Sequence, residues 1–148
     1  MQITDILAPD RTLCEVVASS KQAALAELAR LLAKAEPSLT YAEVLQSLLR
    51  REKQGSTGFG KGWALPHGRL PQCPRTLGAF IRLSAAVDYE ALDGQPVRLL
   101  FALLVPEQST GEHLQILARL AETFSDEKTL RQLQSEPSSA KIYQILTS

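Results

Sequence analysis

His67 is the residue around which chemistry could turn. The chain has two histidines, and this one sits between Pro66 and Gly68 near the end of the run REKQGSTGFGKGWALPHGR, Arg51 to Arg69. An imidazole titrates near neutrality, so it can serve as nucleophile, acid or ligand. Proline before it restricts the backbone, and glycine after it permits close approach of another backbone or of a phosphate. Upstream, Gly55 to Gly62 carries four glycines in eight residues. A rigid histidine beside a glycine-rich, amide-presenting loop suits a phosphoryl-accepting site.

The rest of the composition removes competing classes. The 148 residues fit one domain, residues 1–148, and are 45% apolar and 22% charged. A domain of this size buries about 70% of its unfolded surface. Sixteen basic and sixteen acidic residues cancel, so no electrostatic footprint for nucleic acid is present. No apolar run approaches a membrane span, and MQITDILAPDR lacks the regions of a signal peptide; the expected location is the cytoplasm, with no membrane insertion. Cys14 and Cys73 are isolated, which predicts free thiols. A zinc site would need ligand pairs close in sequence, so no metal is expected.

The elements that must position His67 follow from periodicity. Thr12 to Ala18 reads as a strand. Ser19 with Gln22 forms a capping box ahead of Leu25, Leu28, Leu31 and Leu32 at helical spacing. Thr40 with Glu43 forms a second box, opening a helix to about Glu52 or Lys53 with Gly55 near its C-terminal cap. Trp63 to Pro66 reads as a short strand delivering His67, and Leu77 to Leu83 as another. Asp93-Gly94 is a turn signal. VRLLFALLV, Val97 to Val105, reads as a strand buried on both faces. Ser109 with Glu112 opens a helix from about Thr110 to Phe124, and short helices follow at Asp126 to Leu133 and Ser138 to Leu146. The predicted fold is α/β: a mixed parallel/antiparallel sheet sandwiched by helices.

The Arg51–Arg69 run resembles the active-site segment of enzyme IIA of the phosphoenolpyruvate-dependent phosphotransferase system, fructose/mannitol type. It is most similar to the free-standing nitrogen-regulatory branch. The matching residues are Arg51, Glu52, Gly55, Ser56, Thr57, Gly58, Gly60, Gly62, Ala64, Pro66, His67, Gly68 and Arg69. The likeness extends through Asp93-Gly94, the apolar run ending in Pro106, and His113. Trp63 departs from the pattern, where a small aliphatic residue is usual.

The resemblance implies that His67 is the phosphoryl acceptor, attacking through Nε2 a phosphohistidine of a small histidine phosphocarrier protein. It implies a second site histidine, His113, which the third capping box places in the first turn of its helix, where free amides and the dipole favour an anion. It also implies an arginine at the position of Arg51, whose fork would neutralise equatorial phosphoryl oxygens. Ser56 and Thr57 are expected to support the pocket, Thr57 by hydrogen-bonding a phosphoryl oxygen. Phe59, Trp63 and Arg69 are expected to meet the docking partner, and Glu52 to be an ion-pair partner.

The fragment GSTGFGK satisfies G-x-x-x-x-G-K, but Gly62 stands where a nucleotide-binding loop needs Ser or Thr, and a helix precedes the loop instead of a strand. No cofactor is expected. The resulting expectation is a phosphoryl carrier that signals nitrogen, carbon or potassium status by phosphorylation-dependent binding of transporters or sensor kinases. The alternatives are a sugar-transport enzyme IIA passing phosphate to a IIB domain, and an interaction-only regulator.

Overall fold

The continuous apolar run near residue 100 forms the middle of a six-stranded sheet. The computed structural model describes residues 1–109 and 111–148, the side chain of Glu112 excepted. Its elements are β1 (Thr12–Val16), α1 (Lys21–Lys34), α2 (Tyr41–Lys53), β2 (Gly58–Gly60), β3 (Trp63–Ala64), β4 (His67–Leu70), β5 (Leu77–Val87), β6 (Val97–Pro106), α3 (Gly111–Ser125), α4 (Glu127–Ser135) and α5 (Ser139–Thr147). The sheet order is β1-β5-β6-β3-β2, with β4 also paired to β6. β6 is antiparallel to β5 and parallel to β3 and β4, while β1 is parallel to β5. The sheet is therefore mixed, as expected.

Alternation along β6 explains the two-layer cover. Leu100, Ala102 and Leu104 share a core with Leu25, Leu28 and Leu32 of α1 and Val44 and Leu48 of α2. Leu99, Phe101, Leu103 and Val105 face the opposite core, with Ile116, Leu120 and Phe124 of α3, Leu133 of α4 and Ile142 of α5. Full burial of each such side chain contributes about 1.5–3 kcal/mol. No helix among the described residues is long and apolar enough to cross a membrane.

Several local expectations shift. Ser20, not Ser19, caps α1, its hydroxyl accepting Ala23 N–H at 3.1 Å. Two adjacent serines offer the same chemistry, and β1 stops at Val16 instead of Ala18, leaving room for the later one. Thr40 does cap α2, accepting Glu43 N–H at 3.2 Å. The strand expected at Trp63 to Pro66 is interrupted. β3 ends at Ala64, and pairing with β6 resumes at His67 in β4. Pro66 has no N–H to give but its carbonyl accepts Leu103 N–H at 2.9 Å. The Gly-Phe-Gly strand β2 was not expected, because glycines carry no alternation to read. Cys14 and Cys73 are free. The Ser109–Glu112 box and the helix start at Thr110 lie outside the described residues.

Candidate phosphoryl-accepting site

One face of α2 builds the wall beside His67. Ser47, Arg50, Arg51 and Gln54 stand at i, i+3, i+4 and i+7, and together with His67, Gly68, Arg69 and His113 they line a cleft of about 280 Å³. The wall is close because position 68 has no side chain. A Cβ there would lie 2.1 Å from Ser47 Oγ and 3.2 Å from the Ser47 carbonyl carbon. Glycine thus lets α2 press on β4, and one helical turn after the contact the same face presents Arg51.

His67 opens β4 and is paired in register with Leu103 of β6. Its Nδ1 lies 2.8 Å from the Leu65 carbonyl oxygen. A carbonyl only accepts, so Nδ1 carries the proton and Nε2 of the neutral ring keeps its lone pair. Burial pushes the imidazole below its usual range, and the Arg51 and Arg69 charges push the same way. The Leu65 hydrogen bond and Glu52 oppose them. The net direction favours the neutral ring that a nucleophile requires.

His113 is the third residue of α3 and only 8% exposed. Its ring centroid lies 5.9 Å from that of His67, with the planes at 52°. Burial, then Arg69 and His67, lower its proton affinity. Its Nδ1 is buried with no hydrogen-bond partner among the described residues. Arg51 donates to the Gly55 carbonyl at 2.8 Å, leaving most of its five N–H donors free of protein acceptors among the described residues. Arg69 donates from Nη1 to the carbonyls of Glu107 (3.1 Å) and Ser109, tying β4 to the segment that leads into α3.

The structure therefore brings Arg51, His67, Arg69 and His113 together, and does not bring the rest. Thr57 is fully buried, and its hydroxyl engages the Glu52 carboxylate and Tyr89. The expected bond from Thr57 to a phosphoryl oxygen is thus replaced by an internal one. Ser56 donates to the Tyr89 carbonyl at 3.1 Å and accepts Gly58 N–H, so it supports the loop without lining the cleft. Trp63 is not a docking surface. It is 5% exposed and stacks on Phe124 at 4.9 Å, and Phe59 packs on it at 5.5 Å. Phe59 is 46% exposed, but β3 meets β6 at Leu99, four residues and about 13 Å from the His67 register. Glu52 is an ion-pair partner, of Lys21 at 3.0 Å. Ser47, Arg50 and Gln54 were not singled out from the sequence, although their spacing from Arg51 could have found them.

Known proteins share this sequence family and this fold. The family model for the phosphoenolpyruvate-dependent sugar phosphotransferase system, EIIA 2, matches residues 5–148. A nitrogen regulatory protein of Pseudomonas aeruginosa is 42% identical over 146 residues, covering 99% of this chain and 95% of its own. The crystal structure of the nitrogen regulatory protein IIA-Ntr from Neisseria meningitidis superposes with a TM-score of 0.94 at 41% identity, covering 98% of this chain and 99% of that one. The crystal structure of the mannitol IIA from Escherichia coli shares the fold, with a TM-score of 0.77 at 23% identity over 95% and 98% of the two chains. This chain belongs to the EIIA 2 family of the phosphoenolpyruvate-dependent phosphotransferase system, among the nitrogen regulatory proteins.

Proposed function

We propose that the chain accepts a phosphoryl group on Nε2 of His67 from the phosphohistidine of a histidine phosphocarrier protein, and that the phosphorylated state selects regulatory partners. The observation that carries this reading is the engagement of Nδ1 by the Leu65 carbonyl inside a cleft that also holds Arg51, Arg69 and His113. The Nε2 lone pair attacks phosphorus as the donor's N–P bond breaks, and the donor imidazole keeps that electron pair and takes up a proton from water. Nδ1–H stays on the Leu65 carbonyl throughout. The basic groups offset the charge on the phosphoryl oxygens, and no metal or nucleotide enters this step. Arg69, at the rim, contributes to docking of the carrier. The product places a charge of about −2 on the phosphoryl oxygens at the cleft mouth, about −1 net because the ring keeps Nδ1–H, and this changes which surface binds there.

The names of the nitrogen regulatory relatives support a regulatory output; the targets we propose for it are transporters or sensor kinases in the cytoplasm. Onward transfer to a sugar-specific enzyme IIB is the second reading, favoured by the family's sugar phosphotransferase description. The test is intact mass after incubation with phosphoenolpyruvate, enzyme I and the phosphocarrier. One acid-labile phosphoryl group on the wild type and none on His67→Ala is expected. An unmodified wild type beside a charged carrier would leave only the interaction-regulator reading. Retention of the group when a IIB domain is added would exclude the transport reading.

A further inference from the structure

A buried polar cluster lies directly behind Arg51, and so far it has entered the site only through the charge of Glu52 acting on His67. Its centre is Glu52, the penultimate residue of α2, whose side chain is 5% exposed. Oε1 accepts Lys21 Nζ at 3.0 Å and Thr57 N–H at 3.1 Å, and Oε2 accepts the Thr57 hydroxyl. Lys21, the first residue of α1, is 11% exposed in its side chain and sits 4.5 Å above the ring of Tyr89. The Tyr89 hydroxyl is 3.2 Å from Thr57 Oγ1, and the Tyr89 carbonyl accepts Ser56. One carboxylate thus joins the start of α1, the end of α2 and the glycine-rich loop.

The cluster closes a short ring of chain from residue 52 to residue 57, and Gly55 lies within it. The Gly55 carbonyl is the acceptor that holds Arg51. The direction in which Arg51 presents its remaining donors to the cleft is therefore set by where Gly55 stands, and Gly55 is held on one side by its own N–H on the Glu52 backbone carbonyl at 3.1 Å and on the other by the two bonds from Thr57 to the Glu52 carboxylate. A buried carboxylate with a buried counter-ion is costly to desolvate unless each acceptor is satisfied. Here one side chain satisfies three donors, and what they share is the placement of the loop.

We propose that Glu52 is a positioning residue for Arg51, acting through Thr57 and Gly55, with Lys21 as its counter-charge. This rests on the phosphoryl-transfer reading for its kinetic consequence, but not for its structural one. A misplacement near 1 Å at a transition-state contact costs about a hundredfold in rate. Glu52→Gln should accordingly lower kcat for transfer from the charged carrier by about tenfold to a hundredfold, with KM for the carrier little changed.

The decisive test is a double-mutant cycle. If Glu52 acts through Arg51, then Arg51→Ala/Glu52→Gln is no slower than Arg51→Ala alone. Multiplying losses would overturn the proposal. Glu52→Gln leaves Lys21 buried without its partner, so Lys21→Met/Glu52→Met is the companion variant that removes both charges and keeps the fold. It should show the same drop in kcat, and wild-type kcat in that folded variant would overturn the proposal. A second readout needs no phosphoryl transfer. The guanidinium ¹⁵N–¹H signals of Arg51, assigned with Arg51→Ala, should be restrained in the wild type and averaged in Lys21→Met/Glu52→Met. Equal averaging in both proteins would also overturn it. If the wild type takes no phosphoryl group while the Arg51 signals still respond to Glu52, the positioning role stands and the transfer reading fails.

Discussion

Two regions of this molecule gather arginines, and they use their guanidinium donors differently. Around the end of α4, Arg82 is 2% exposed, and its Nη1 donates to the Leu133 and Glu136 carbonyls, each at 2.7 Å. Arg98 donates beside it to the carbonyls of Leu83 and Gln134 at 2.8 and 2.9 Å, and Glu15 approaches both guanidinium groups. Those forks are turned to protein carbonyls, three at the end of α4 that have no partner within the helix and one, Leu83, in β5, although Arg82 Nε itself stays buried without a partner among the described residues. In the His67 cleft, Arg51 touches one carbonyl, and Arg50 makes no hydrogen bond among the described residues. Positive charge is common to both places. Unspent donors next to a nucleophile with a free lone pair belong to one.

The largest effect expected is His67→Ala, which removes the acceptor. It should abolish labelling in the mass measurement and leave the fold intact, since His67 is only half-buried. Arg51→Ala should slow transfer by about a hundredfold with the circular dichroism unchanged. A wild-type rate would mean that the cleft's arginines are as structural as Arg82. Arg82→Met should do the reverse, costing about 3 kcal/mol in a urea titration while the folded protein transfers normally. Gly68→Ala probes the contact between wall and strand. The clash with Ser47 should cost about 1–3 kcal/mol, and adding Ser47→Gly should recover part of it. The smallest effect is on acid stability. His67 and His113 are both held below the usual value near 6.5, so on acidification the unfolded chain binds protons first. Stability should be complete above that value and decline as pH falls below it. Both histidine-to-alanine variants should flatten that slope in pH-dependent urea melts, and an unchanged slope would assign it to other groups.

The large features of the fold were legible because they repeat. Seven apolar residues in a row, Leu99 to Val105, mark a strand covered on both sides, and the leucine spacing of α1 and α2 marks helices. What the sequence hid depends on distant partners. Trp63 looked available as an apolar residue close to His67 in the chain, yet Phe124 covers it. Thr57 looked like a donor for phosphate, yet Glu52 and Tyr89 hold it. In the site, His67 stood out by residue type and its Pro-Gly flanks, while Arg51 and His113 were named through the family resemblance. Arg50 and Gln54 were legible by spacing alone once α2 was taken as a wall, and Ser47 because Gly68 needs a small neighbour.

Strand β6 is buried on both faces, paired along both edges, and continues toward the helix bearing His113. Its amides should exchange with solvent only when the whole molecule opens, because no smaller opening exposes them. Arg51, His67 and His113 are far apart in the chain, and the register of β6 is what they hold in common. On the proposed function, the capacity to take a phosphoryl group is then all-or-none across a population of molecules. A variant that weakens the fold anywhere lowers the fraction of competent molecules, while each one that remains turns over at the normal rate.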